Sequence, residues 1–218
     1  MELTTEELPH YAKKTLDLYF VYHFGLGELC SNSHRGNYDL SQHSQHSQKD
    51  FRINGIIPEV IEVSFGVERL MLAILEDAYQ EEIVNNRKEK KEQVAAAEKL
   101  TTIRKFLKIH PLLAPYFVAI IPLTKQEKKI AYQLYLDLLP FVHFNLAYEE
   151  VANIGKAYRR QDAIGTYYCL TIDDKTAQDN TITLRHRDTM KQIKLDTDIN
   201  SLKNYLNNLY EKYWREIT

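Results

Sequence analysis

The sequence predicts an α/β protein in two parts, and three features of the chain predict it. Residues 1 to 80 hold apolar runs punctuated by glycine and by a His/Ser/Gln-rich stretch. From Gln80 to Ile109 there is neither Gly nor Pro, and Lys, Glu and Ala dominate. From about residue 115 onward, strand-like segments alternate with helix-like ones. Such alternation argues for a small α/β domain with a mostly parallel, helix-flanked sheet. The expected division is a first domain over 1–80, a helical linker over 81–113 and a second domain over 114–218.

Each element has its own reason. Leu16 to Phe24 is rich in Leu, Tyr, Phe and Val, which favour a strand. Ser41 to Ser47 is polar and reads as a loop or short exposed helix. Ile56 to Phe65 reads as a buried strand, with Pro58 near its start. After Gly66, Val67, Leu70, Met71, Ile74, Leu75 and Ala78 recur at helical spacing, so a largely buried helix should follow that strand directly. Lys88 to Glu92 and Ala95 to Ala97 read as a solvated helical linker, with a direct tRNA or protein contact as the alternative. The last region reads as strand 117–121, helix 125–139, strand 144–148, helix 154–163, strands 167–172 and 181–184, and a final helix. Asp198 is the expected N-cap of that helix. Ile199, Leu202, Tyr205, Leu206, Leu209, Tyr210 and Tyr213 form its apolar face.

Composition narrows the function classes. The chain has 218 residues, with 28 Lys+Arg against 30 Asp+Glu and a net charge of −2, so nucleic-acid binding needs a local patch. No apolar run approaches the ~20 residues of a membrane helix, so no membrane role is expected. The acidic, polar start resembles no secretory or organellar signal, and a cytoplasmic setting is expected. The only two cysteines, Cys30 and Cys169, exclude a disulfide scaffold and a Cys-based zinc site. His34, His43 and His46 lack a completing Cys or carboxylate and read as surface histidines, so no tightly bound metal is expected.

Two places could carry chemistry. Glu62-Val63-Ser64-Phe65-Gly66-Val67-Glu68-Arg69 lies where a strand meets a helix. A helix start offers free N–H groups and partial positive charge, and an arginine in its first turn adds a fork that fits phosphate oxygens. In the competing reading, Arg69 pairs with Glu68 or another nearby carboxylate and Gly66 only makes a turn. Glu62 must meet a cation, either a protein Arg or Lys or a bound ammonium. The second place combines Tyr158-Arg159-Arg160 with Arg185-His186-Arg187, around Tyr167-Tyr168. Arginines beside stackable rings suit single-stranded RNA loops. Pairing of Arg160 with Asp162, or of Arg187 with Asp188, is the structural alternative.

The motifs resemble a known family. Phe24 to Leu29 followed by His34 to His43 is similar to the core of the dimeric-type glycyl-tRNA synthetases of class II, and Ile57 to Arg69 resembles their third class II signature. His110 to Pro115 resembles the entry to their anticodon-binding domain. Tyr158 to Thr166 and Arg187 to Gln192 resemble segments within it. The resemblance implies a partial class II antiparallel-sheet catalytic core followed by the anticodon-binding domain. It implies that Arg69 grips the γ-phosphate of ATP, bound as its Mg²⁺ complex, and that Glu28, Leu29, Gly66, Val67 and Glu68 adjoin the nucleotide. Glu62, Val63, Ser64, Phe65 and Gly66 would surround glycine. Tyr158, Arg159, Arg160, Arg185 and Arg187 would contact tRNA(Gly). Glycine has no side chain to read, so selectivity must come from a pocket too small for a methyl group and from carboxylates around the ammonium.

There are departures. The family has Pro where Val63 stands, and two arginines where Lys156 and Ala157 stand. Its first two class II signatures, of which the first builds much of the dimer interface and the second carries the arginine that holds the α-phosphate, have no counterpart here, so the chain alone is expected to lack half an active site. A second chain carrying that half is the implied partner. A non-catalytic, synthetase-like nucleic-acid-binding or accessory protein is the alternative.

Overall fold

The computed structural model describes residues 8–85, 101–150 and 153–217. The chain divides into two units, Met1–Asp77 and Ala78–Thr218.

The first unit is a three-stranded antiparallel sheet with two helices. Strands β1 (Lys14–Tyr22), β2 (Gly25–Gly36) and β3 (Val60–Phe65) lie in the order β1-β2-β3, with α1 (Tyr38–Ser47) before β3 and α2 (Val67–Ala78) after it. The β1–β2 turn closes at Gly25, whose φ of 121° suits glycine. A bulge between Leu18 and Tyr19 leaves Leu29 outside the one-to-one register. The register sorts side chains by face. Thr15, Ser33 and Glu62 share one row, and Asp17, Ser31 and Ser64 share the next. On the opposite face, Leu16, Asn32 and Val63 align, as do Leu18, Cys30 and Phe65.

This corrects the expected burial. Ile61, Val63 and Phe65 are 72%, 52% and 55% exposed, and Val67, Leu70 and Met71 on α2 are exposed too. The strand and helix form, but an apolar pattern states which face favours burial, not what buries it.

In the second unit, β4 (Tyr79–Asn85) pairs antiparallel with β5 (Thr101–Leu107). Residues 81–85 and 101–107 of the expected helical linker are therefore strands, and it ends in a 3₁₀ turn at Pro111–Leu113. Their β-branched residues, Ile83 and Val84 with Thr101 to Ile103, favour extended backbone. The Lys/Glu/Ala-rich centre of that stretch lies outside the described residues.

A 3₁₀ turn at Pro111–Leu113 leads into β6 (Val118–Pro122), α3 (Lys128–Leu138), β7 (Leu146–Tyr148) and α4 (Ile154–Ile164). Then follow β8 (Tyr168–Ile172), α5 (Thr176–Asp179), β9 (Thr181–His186), β10 (Gln192–Asp196) and α6 (Ile199–Arg215). The sheet runs β10-β9-β8-β6-β7. β6 is parallel to both β7 and β8, while β8–β9 and β9–β10 are antiparallel. The sheet is therefore mixed rather than mostly parallel. Helical crossovers through α3 and α4 permit parallel pairing, and the short links to β9 and β10 do not. Strand β10 escaped the sequence reading because Gln192, Lys194 and Asp196 alternate with only two apolar residues.

Both faces of this sheet are covered. Val118, Ile120, Leu170 and Ile182 pack with Leu134 and Leu138 of α3 and Leu202 and Leu206 of α6. Ala119, Ile121 and Cys169 pack with Ala157 of α4. Each large apolar side chain so buried contributes about 1.5–3 kcal/mol. Asp198 caps α6, accepting from Ser201 N at 2.8 Å. Tyr205, expected on the apolar face of α6, is 37% exposed. Helix α4 ends at Gly165, with φ 86°, where a Cβ would lie 2.8 Å from Ile109 Cγ2.

Candidate functional site

In the first unit one face of the sheet carries Glu62 and Ser64, and helix α2, which follows β3, carries Arg69. Helix α2 begins directly after Gly66, so Arg69 sits in its first turn. The Arg69 guanidinium is exposed, and its Nη1 donates to the Glu28 carbonyl at 2.9 Å. Arg69 thus pairs with neither Glu68 nor another carboxylate among the described residues. A Cβ on Gly66 would sit 3.3 Å from Arg69 Cδ, so glycine here leaves room for the arginine stem.

Glu62 meets a protein cation. Arg35 Nη1 donates to Glu62 Oε2, and Ser64 Oγ donates to Glu62 Oε1 at 3.0 Å. Arg35 also makes a two-pronged contact with Asp39, at 2.5 and 2.8 Å, and lies over the Tyr11 ring at 4.0 Å. The Arg35 hydrogen bond holds the Asp39 carboxyl below the usual carboxylate range. Arg35 is the residue that sequence reasoning missed. Its signal was the four-residue spacing to Asp39 across the end of β2.

Not every expected residue shares this face. Val63 and Phe65 project opposite to Glu62 and Ser64, so their side chains line no common pocket with them. Glu28, Val67 and Glu68 are exposed and Leu29 is half-buried. Among the described residues no group of three or more His, Cys, Asp or Glu is arranged to hold a metal ion. His34 lies 2.9 Å from Glu59, which also takes a bond from Lys13 at 2.5 Å; those two partners hold the Glu59 carboxyl low.

In the second unit the arginines divide. Arg185 and Arg187 were expected to face RNA, and the structure corrects that. Both are buried, at 6% and 2% exposure. Arg185 grips Asp162 with two bonds, at 2.8 and 3.0 Å, and lies over Tyr158. Arg104 of β5 adds a third bond to Asp162 at 2.8 Å and donates to the Arg187 carbonyl at 2.6 Å. Arg187 itself donates to the carbonyls of Gly165 and Ile109, at 2.8 and 2.9 Å, and to Asp188 at 2.7 Å. All these donors are used internally, because a buried guanidinium is tolerated only when its fork is filled. Tyr158 is half-buried, with its hydroxyl 2.6 Å from Thr171 Oγ1. Arg159 and Arg160 remain exposed.

The chain is similar to known proteins. Residues 117–209 match the family model described as an anticodon binding domain. The chain is 45% identical over 197 residues to a glycine–tRNA ligase of Mycoplasmopsis synoviae, covering 88% of the chain and 40% of that protein. It is 41% identical over 203 residues to that of Clostridium tetani, covering 90% and 40%. The chain is a homologue of the C-terminal part of glycine–tRNA ligases. It spans about 40% of the length of the curated relatives it matches. A solved structure titled as the RNA binding domain of threonyl-tRNA synthetase from Cryptosporidium parvum aligns with a TM-score of 0.58. It is 17% identical and covers 93% of this chain and 44% of that one, a likeness of fold. The glycine–tRNA ligase match covers most of the chain, in both units. Among the described residues, no helix is long and apolar enough to cross a membrane.

Proposed function

We propose that this chain provides the C-terminal share of a glycine–tRNA ligase. Such an enzyme joins glycine to ATP as glycyl-adenylate and passes the acyl group to tRNA(Gly). The observation that carries this reading is Arg69, an exposed guanidinium in the first turn of a helix, steadied by one bond to the Glu28 carbonyl. Positive charge at a helix start suits the γ-phosphate of an ATP–Mg²⁺ complex. Gly66 leaves space beside it, and Glu28, Leu29, Val67 and Glu68 would border the nucleotide. Glu62, held by Ser64 and Arg35, would receive the glycine ammonium. The second unit would bind the tRNA anticodon in the cytoplasm, with Arg159 and Arg160 as its exposed cations.

In-line attack at the α-phosphate needs more positive charge than Arg69 alone supplies. A second chain bearing the first two class II signatures would bring it. Glycine-dependent ATP–pyrophosphate exchange tests this. The reading expects exchange when such a chain is added, and a loss of at least about a hundredfold with Arg69→Ala. No exchange in the mixture, with tRNA binding intact, would instead favour a nucleic-acid-binding accessory protein.

A further inference from the structure

Helix α2 carries Arg69, and its own packing does little to aim that side chain. A single residue, Gly66, joins the helix to β3, and Val67, Leu70 and Met71 in its first half are exposed. The direction of Arg69 is set instead by polar contacts with the β1–β2 hairpin.

The hairpin meets α2 at three places. Tyr22, the last residue of β1, is 3% exposed, and its hydroxyl donates to the Arg69 carbonyl at 3.0 Å. His23, the next residue, meets Glu76 twice. Its backbone N–H donates to Glu76 Oε2 at 2.9 Å, and its Nδ1 lies 2.5 Å from Glu76 Oε1. The Arg69 guanidinium donates to the Glu28 carbonyl of β2 at 2.9 Å. Glu76 stands two helical turns after Arg69, so both project from one side of α2. The ring that delivers the Tyr22 hydroxyl is itself held. It stacks on Phe24, with centroids 5.0 Å apart and planes 4° from parallel, and a Cβ on Gly27 would lie 2.8 Å from its Cε2.

Stability alone does not account for these contacts. A carbonyl in the first turn of a helix already accepts from the residue four positions on, so the helix does not need the Tyr22 hydroxyl. His23 and Glu76, with side chains 73% and 21% exposed, form an ion pair too open to water to stabilise much. Their effect is directional. One contact fixes the first turn of α2 and the other its last, and a helix held at both ends cannot pivot about Gly66.

We propose that Tyr22 and His23 are positioning residues for the nucleotide: they clamp α2 at both ends, so that Arg69 keeps its bearing on the γ-phosphate. The inference rests on the reading that Arg69 takes that phosphate, and it names what aims it. Small misplacements of a group that orients a substrate are costly, so a clamp remote from the ligand matters. Glu62 is held separately, by Arg35 and Ser64, so the glycine pocket does not depend on the clamp.

The test is glycine-dependent ATP–pyrophosphate exchange in the mixture with a chain bearing the first two class II signatures, with KM measured separately for ATP and glycine. Tyr22→Phe removes only the hydroxyl, and Glu76→Ala removes only the second contact. Each should raise KM for ATP roughly fivefold, the worth of one hydrogen bond, and leave KM for glycine in place. Glu76→Gln can keep both bonds to His23, its amide serving the ring nitrogen, and should bring KM for ATP back to within about twofold of the parent. A fall in kcat with both KM values unchanged would mean that the variants only lower the folded fraction, and the clamp would be wrong. Equal rises in both KM values would show a general loosening of the site and overturn it too. Parent KM values in Tyr22→Phe and Glu76→Ala would also overturn it, while exchange by the parent mixture keeps the reading of Arg69. A parent mixture without exchange would overturn that reading and the clamp with it.

Discussion

Strands β6 and β3 have similar apolar content and opposite surroundings. From Val118 to Ile121 every side chain of β6 is at 0% exposure, covered by helices on both faces. In β3 the alternate residues Ile61, Val63 and Phe65 are all more than half exposed, while the buried positions of the same sheet include Thr15, Asp17 and Ser33. Both sheets obey the two-residue alternation of side chains. They differ in whether their own unit supplies a cover. The second unit is self-sufficient in the thermodynamic sense, because its apolar surface is removed from water within itself. The first unit keeps its apolar face outward and its candidate ligand residues, Glu62 and Ser64, on the other side.

The difference is broken most severely at Asp162. It anchors Arg104 and Arg185 together, and the Arg104 bridge ties β5 to α4 and to Arg187 at the end of β9. Asp162→Ala leaves two buried guanidinium groups without their carboxylate, and such losses cost about 3–5 kcal/mol. Chemical denaturation of the variant should show that drop in the second unit. A change below about 1 kcal/mol would mean that water replaces the carboxylate and that the network does not hold the unit together. Next comes Leu170→Ala in the middle of β8, where the side chain is at 0% exposure. A cavity there should cost about 2–5 kcal/mol. The same truncation at Ile61 should be nearly silent, and equal costs at the two sites would contradict the contrast between the units.

The sequence disclosed these regions unevenly, and the reasons are physical. Helix α6, with its Asp198 cap, and the four inner elements from β6 to α4 were legible because apolar periodicity and turn residues agree there. Arg69 at a helix start was legible because Gly66 marks the junction. Strands β4 and β5 were not, because the Lys/Glu/Ala-rich run between them dominates any window of helical length. The roles of Arg185 and Arg187 were not legible either. Sequence shows that an arginine is present, and only the fold shows whether a buried acceptor such as Asp162 has claimed it.

The two cysteines allow the comparison to be sharpened, since each unit holds one and both are buried. Burial pushes the Cys169 thiol up to about 12, so thiolate is scarce at neutral pH and labelling must wait for opening. Cys30, 2% exposed, lies between the half-exposed Leu18 and Phe65 on the apolar face of the first sheet. Its unit should open at a smaller free-energy cost. In native conditions Cys30 should therefore react with a thiol reagent well before Cys169, as read by mass spectrometry of the two peptides. Simultaneous labelling would mean that the units open as one cooperative block.

The smallest effect on stability is expected at Ile61→Lys, and it is the most direct probe of the uncovered face. Ile61 is 72% exposed, so replacing it removes little buried area, and the fold should change by no more than about 0.5 kcal/mol. The surface should change far more. Leu16, Leu18, Ile61, Val63 and Phe65 share one side of the sheet, and contiguous apolar patches of this kind attract hydrophobic dyes and other chains. A lysine in that patch should lower dye fluorescence and slow concentration-dependent aggregation while the melting temperature holds. A falling melting temperature would place Ile61 in a packed setting. Unchanged dye binding at constant stability would move the apolar surface to α2, where Val67 and Met71 are the next residues to charge.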